Sequence, residues 1–79
     1  MKTMKSVNIS LATIESVRQF VNIVSKYNVD IDLSSGRYVV DAKSIMGIFS
    51  LDLMNPIKMT VHSDDVDDLF AEIKPFIVE

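Results

Sequence analysis

The sequence predicts an α+β fold: an open-faced two-layer sandwich, with a four-stranded antiparallel sheet and helices on one face. Four short segments alternate apolar and polar residues, the pattern of strands that bury one side. Two longer segments repeat apolar residues every three or four positions, which is typical of amphipathic helices. Helices packed on one face of the sheet would bury all of these apolar faces together. We therefore expect one domain over residues 1–79, in the order β-α-β-β-α-β-α.

The first strand and the first long helix occupy the N-terminal third of the chain. Residues 4–9 alternate loosely, which indicates a strand. A helix is predicted from Ile14 to about Tyr27, because Thr13 is a favourable N-cap and Glu15 suits the positive end of the helix dipole. The expected buried stripe of this helix consists of Ile14, Val17, Phe20, Val21, Val24 and Tyr27.

A hairpin and a short helix follow. Residues 29–33 and 37–41 alternate in polarity, and Ser34-Ser35-Gly36 between them is a turn signal. The hairpin therefore supplies two antiparallel strands. Ser44 can then cap a short apolar helix that ends near Leu51.

The last strand and the second long helix complete the fold. Residues 57–62 alternate most clearly of all, and Ser63-Asp64-Asp65 then offers an N-cap and an acidic first turn. Pro75 should end or kink this helix near Lys74, because proline lacks the backbone N–H. The apolar stripe of the helix is predicted to be Val66, Leu69, Phe70, Ile73 and Ile77.

Composition narrows the range of functions. The net charge of −3 argues against a nucleic-acid partner, and the absence of cysteine excludes thiol chemistry. No apolar run reaches the roughly 18 residues of a membrane-spanning helix, so no membrane association is expected. The N-terminal MKTMKSVNIS does not read as a signal peptide. A cytoplasmic protein is the expectation.

A family resemblance is carried by residues 42–51, which read AKSIMGIFSL. This segment closely resembles the regulatory-serine segment of HPr, the histidine phosphocarrier of the bacterial sugar phosphotransferase system. The resemblance extends more weakly over almost the whole chain. It implies the same open-faced sandwich, a protein that is not an enzyme, and no cofactor.

The resemblance also indicates where the family's phosphorylated histidine should lie. When the chain is aligned through residues 19–21, the histidine position falls on Thr13, the following arginine on Glu15 and the following proline on Ser16. Threonine has no imidazole nitrogen, and Glu15 opposes a bound anion. Arg18, one turn further on, offers partial compensation. We therefore expect histidine phosphotransfer to be lost and Thr13 to act as an ordinary helix cap.

Ser44 matches the serine that an ATP-dependent kinase phosphorylates in one branch of the family. There, the phosphoprotein binds a catabolite-control transcription factor. The resemblance therefore makes Ser44 a candidate for regulatory phosphorylation at a helix N-terminus. The alternative is that Ser44 is only an N-cap, as in any short helix.

The short helix is also a candidate docking surface. In the family, this helix and the neighbouring end of the first helix contact enzyme I and other partners. Methionine and aromatic side chains are adaptable at such surfaces, although at least half of the set should be buried because one side of the helix must face the core. The candidate partner-binding residues are Ile45, Met46, Gly47, Ile48 and Phe49.

The remaining polar groups suggest no further chemistry. His62 is the only histidine and is expected to be a solvent-facing strand residue, although a metal ligand or a general base is the alternative. The acidic run Asp64, Asp65, Asp67 and Asp68 lacks the pattern of a calcium loop. No metal site or cofactor motif is predicted.

Three functional hypotheses remain open. The leading hypothesis is an HPr-like regulatory or binding module without phosphotransfer, whose partners are phosphotransferase-system enzymes, a serine kinase or a transcriptional regulator. The second retains phosphotransfer, on His62 or Thr13. The third is an interaction domain without any phosphorylation, with a homodimer left open.

Overall fold

The computed structural model describes residues 4–78 and confirms the predicted α+β class, with an antiparallel sheet and three helices on one side. The elements in chain order are β1 (Lys5–Ile9), α1 (Ile14–Val24), β2 (Ile31–Ser35), β3 (Tyr38–Asp41), α2 (Ile45–Phe49), β4 (Ile57–Val61), α3 (Asp67–Ile73), a 3₁₀ turn (Lys74–Phe76) and β5 (Ile77–Val78).

The sheet has five strands in the order β3-β2-β4-β1-β5, so the prediction of four strands was wrong. The additional strand is β5, which pairs with β1 through Ile77 opposite Ile9 and Val78 opposite Asn8. The α-helix α3 ends at Ile73, near the end that Pro75 predicted, and Ile77 takes an extended conformation after the 3₁₀ turn. Ile77 therefore belongs to the sheet and not to the helical stripe to which it was assigned.

The core lies between the sheet and the helices. The middle of the sheet contributes Ile57, Met59 and Val61 from β4, and all three side chains are fully buried. Against them α1 packs Phe20, whose ring meets Phe76 edge-on with the centroids 5.9 Å apart. The other buried side chains of the three α-helices are Val17, Val24, Ile48, Leu69 and Ile73.

Both long helices are shorter than predicted. The first, α1, ends at Val24, and Ile14 at its start is 69% exposed, so Ile14 does not belong to the buried stripe. The second, α3, begins at Asp67 and has no side-chain cap. The predicted cap, Ser63, instead accepts a hydrogen bond from the backbone N–H of Asp65 at 3.1 Å. This local turn competes with helix initiation at residues 63–65.

An ion pair joins the segment after α1 to α3. The ammonium of Lys26 lies 2.9 Å from a carboxylate oxygen of Glu72. The hydrogen bond to Glu72 raises the pKa of Lys26 above the ordinary value of 10.5. Partial burial, and then the charge of Glu72, raise the pKa of Tyr27 above 10.0. The Lys26–Glu72 contact therefore ties this segment to α3 while Lys26 is protonated.

We expect these two groups to make the fold sensitive to alkaline pH. A raised pKa stabilises the folded state fully below the unfolded value, and this stabilisation is lost as the pH rises through the folded value. Urea unfolding measured from pH 9 to 12 should therefore show stability falling from about pH 10 upward. Glu72→Gln should flatten this decline, whereas Glu15→Gln, an equivalent change on α1, should not. Equal slopes in the two variants would contradict the prediction.

Candidate functional site

The N-terminus of α1 is closed by its own side chains. Thr13 has an extended backbone and is the N-cap, as predicted. Its hydroxyl accepts a hydrogen bond from the backbone N–H of Ser16 at 3.0 Å, and the Ser16 hydroxyl accepts one from the N–H of Thr13 at 3.1 Å. This reciprocal pair is a capping box. Two of the backbone N–H groups at this helix end are therefore already satisfied from within.

The start of α1 has no positive charge at the position where a bound phosphate would need one. Glu15 is exposed in the first turn, where its carboxylate accepts a long hydrogen bond of 3.4 Å from the Gln19 amide. Arg18 is also exposed, and no ion pair holds it among residues 4–78. This end of α1 thus presents a hydroxyl and a carboxylate, neither of which resembles an imidazole as a phosphate acceptor.

Ser44 begins α2 and is exposed. Its hydroxyl accepts a hydrogen bond from the backbone N–H of Gly47 at 3.2 Å, so the predicted N-cap is confirmed. The preceding turn is fixed by Asp41, whose carbonyl accepts from the N–H of Ser44 and whose carboxylate accepts from the N–H of Lys43. The Lys43 ammonium donates to the carbonyl of Tyr27 at 2.7 Å. Ser44 is therefore held in place and its side chain faces solvent.

The short helix divides into a buried side and an exposed side. Met46 is 77% exposed and Phe49 is 39% exposed, while Ile45 is half-buried. Ile48 is 0% exposed and belongs to the core. A helix this short that packs against both α1 and β3 must bury one side, and that side is the one carrying Ile48. Ile48 is therefore removed from the set of candidate contact residues.

Gly47 has a structural reason to be glycine. A Cβ atom built on it would lie 3.2 Å from Cβ of Val40 in β3 and 3.2 Å from the Ser44 hydroxyl oxygen. These distances are tighter than ordinary van der Waals contact. Gly47, one of the candidate partner-binding residues, therefore allows α2 to approach β3 closely.

The sequence analysis did not identify Ile14 or Met54 as exposed apolar side chains. Met54, in the loop after α2, is 88% exposed, and Ile14 begins α1 on its solvent side. The exposure of Met54 could have been predicted from its position in a loop, just before the helix-breaking Asn55-Pro56. Nothing in the local pattern distinguished Ile14 from the true stripe, because it lies at the correct spacing from Val17.

His62 lies one residue beyond β4, and its side chain is 28% exposed. Its Nε2 lies 2.7 Å from a carboxylate oxygen of Asp32 on the neighbouring strand β2. Asp30 and Asp41 line the same small pit of about 230 Å³. Even so, no group of three potential metal ligands comes together anywhere in residues 4–78. The pair is a cross-strand contact, and neither Thr13 nor Ser44 lines the pit.

Comparison with known families assigns most of this chain. Residues 15–78 match the family described as the PTS HPr component phosphorylation site, which is well over half of the sequence. The chain belongs to the HPr family. HPr proteins are phosphocarriers of the phosphotransferase system, so the prediction that the chain is not an enzyme is confirmed. The matched region begins two residues after Thr13.

Solved structures agree with this assignment. The HPr from Bacillus anthracis is 25% identical, with a TM-score of 0.71 and 98% of both chains covered. HPr-C-His from Thermoanaerobacter tengcongensis is 26% identical, with a TM-score of 0.70, covering 95% of this chain and 88% of that one. No match was found among curated protein sequences. Within residues 4–78, no helix has the length and apolarity to cross a membrane.

Proposed function

We propose that this member of the HPr family is a regulatory or binding module that does not carry phosphate on histidine. The observation that supports the proposal is the capping box at the start of α1. Where alignment with the family places the phosphorylated histidine, the Thr13 hydroxyl accepts from a backbone N–H and has no nitrogen to phosphorylate. Glu15 adds a negative charge where the family has an arginine.

We propose further that Ser44 is a regulatory phosphorylation site. Its exposed hydroxyl lies in the segment most similar to the family's regulatory serine, and a kinase can reach it without unfolding the domain. A phosphate would add about −1.5 to −2 charge units to a chain of net charge −3. It would also replace the hydroxyl that caps Gly47, so the local hydrogen bonds of α2 would have to change.

The proposed docking surface consists of Ile45, Met46, Gly47 and Phe49 on α2. The two strongly apolar exposed side chains, Met46 and Phe49, lie on the solvent side of a helix that is held firmly by its buried side. Proposed partners are phosphotransferase-system enzymes, a serine kinase or a transcriptional regulator, within the cytoplasm. Assembly as a homodimer through this face is the alternative use of the same surface.

Intact mass spectrometry after two parallel incubations tests the proposal. With enzyme I and phosphoenolpyruvate we expect no mass change, because Thr13 offers no imidazole. With the bacterial HPr kinase and ATP we expect a single added phosphate, absent from Ser44→Ala. The matched control is Ser50→Ala, since the Ser50 hydroxyl donates to the Gly47 carbonyl at the other end of the same helix and should not be the acceptor.

Each other result points to one of the alternatives. A phosphate transferred from enzyme I would contradict the loss of carrier chemistry, and peptide mapping would assign it to Thr13 or His62. A kinase-dependent phosphate that survives in Ser44→Ala would exclude Ser44 as the site. If neither incubation adds a phosphate, while an HPr that has both the histidine and the regulatory serine is phosphorylated in parallel, the result would favour an interaction domain without phosphorylation.

A further inference from the structure

A groove of about 800 Å³ lies between the β2–β3 hairpin turn and the loop that leads from α2 into β4. Its volume is in the range of about 300–1,000 Å³ that small-molecule sites occupy. None of Thr13, Ser44, Met46 and Phe49 lines it. The groove is therefore separate from the proposed phosphorylation and docking site.

On one wall of the groove, the Ser50 and Asp52 side chains already have hydrogen-bond partners within the protein. The Ser50 hydroxyl donates to the Gly47 carbonyl at 2.6 Å. One carboxylate oxygen of Asp52 accepts from the backbone N–H of Met54 at 3.1 Å, and the other accepts from the Asn55 side-chain amide at 2.8 Å. The only acidic side chain in the lining thus has both oxygens engaged within its own loop.

The opposite wall carries two cations without partners. Neither Arg37 nor Lys58 makes a side-chain hydrogen bond or an ion pair within residues 4–78, where the ion pairs are Lys26–Glu72 and Asp32–His62. Arg37 follows Gly36, whose φ of 60° turns the hairpin, and Lys58 lies within β4. A chain with net charge −3 thus places two free positive charges in one concavity.

Neutral polar groups complete this wall. Lys58 pairs in register with Ser34 on one side and Asn8 on the other, so these side chains form a row across three strands. No hydrogen bond in the described chain occupies the side chains of Ser34, Ser35 or Asn8. Tyr38, which is 68% exposed, pairs in register with Ser35 at the same end of the sheet, and these two residues lie on the opposite face from the row.

We propose that this groove binds a small phosphate monoester that carries hydroxyl groups. Arg37 and Lys58 pair with the phosphate, because guanidinium and ammonium groups form strong charge-assisted hydrogen bonds with phosphate oxygens. Ser34 and Asn8, which share one face of the sheet with Lys58, bond to the ligand's hydroxyls. Asp52 keeps its negative charge, but the two cations, Arg37 and Lys58, leave the lining of the groove with an excess of positive charge.

Amide chemical-shift titration of the ¹⁵N-labelled protein tests this inference at constant ionic strength. The probes are glucose 6-phosphate, glucose and inorganic phosphate. We expect saturable shifts at Gly36, Arg37 and Lys58 with glucose 6-phosphate, weaker ones with phosphate and none with glucose. Arg37→Gln should weaken glucose 6-phosphate binding by about tenfold, since a hydrogen bond to a charged group is lost.

A control variant that removes the same charge outside the groove tests whether the loss of affinity is specific to the groove. Arg18→Gln removes the same charge from an exposed position on α1 that does not line the groove, and it should leave the affinity unchanged. An equal loss in Arg18→Gln and Arg37→Gln would reduce the effect to general electrostatics and overturn the inference. Shifts elsewhere, no saturation, or equal affinity for inorganic phosphate and glucose 6-phosphate would overturn it as well.

Discussion

Replacing Phe20 with alanine is expected to lower the free energy of unfolding by about 3–5 kcal/mol. Phe20 is fully buried in α1 and meets the ring of Phe76 edge-on, so the change removes apolar contacts from the centre of the core. A single domain of this size has roughly 5–15 kcal/mol of stability in total. The expected loss is therefore a large fraction of the total, and the unfolding midpoint of Phe20→Ala should fall well below that of the parent protein.

Urea unfolding followed by circular dichroism measures this loss. The matched control is Ile14→Ala on the same helix, which should change stability by no more than about 0.5 kcal/mol because its side chain is already in solvent. If Phe20→Ala does not fold, Phe20→Leu should give a smaller loss that can be measured. A loss as large in Ile14→Ala as in the Phe20 variants would contradict the described packing of α1.

Ile48→Ala is expected to cost about 2–5 kcal/mol, although Ile48 lies in the segment that resembles a docking surface. Its side chain is 0% exposed and fixes α2 to the rest of the fold, so truncation leaves a cavity. The decrease should appear as a lower urea midpoint with an unchanged slope. Weaker partner binding by this variant would reflect loss of the folded helix.

Met46→Ala separates binding from stability on the same helix. Met46 is 77% exposed, so truncation should alter the free energy of unfolding by no more than about 0.5 kcal/mol. If α2 is the docking surface, partner affinity should still fall. The opposite pattern, a stable Ile48→Ala and an unstable Met46→Ala, would show that the two sides of α2 are assigned the wrong way round.

Local chemistry was sufficient to predict the parts of the fold that depend on near neighbours. Thr13 and Ser44 were both identified as N-caps, and both accept the expected backbone hydrogen bonds. Gly36 marked the hairpin turn, and Pro75 marked the end of the last helical segment. Each of these features depends on a side chain and a backbone group within three or four residues, so the sequence contains all the participants.

Long-range packing decided what the pattern left open. Ile77 continues the apolar spacing of α3, but it pairs with Ile9 in β1, a strand near the other end of the chain. His62 alternates as a solvent-facing residue, but Asp32 on the adjacent strand meets its ring. Ile14 has the spacing of a buried residue but begins α1 beyond the edge of the core. Periodicity indicates which residues share a face, and it does not indicate how far the neighbouring element extends over that face.

In the candidate site, too, some features could be predicted from the sequence and others depend on the tertiary structure. The proposed loss of the phosphorylated histidine and the candidate serine both came from the family resemblance, which aligns Thr13, Glu15 and Ser44 with the family's histidine, arginine and regulatory serine. The tertiary structure decided that Ile48 is core, that Gly47 makes room for Val40, and that Arg37 and Lys58 face one groove. Those facts depend on strands and loops that are distant in the chain and adjacent only after folding, and so no local pattern contains them.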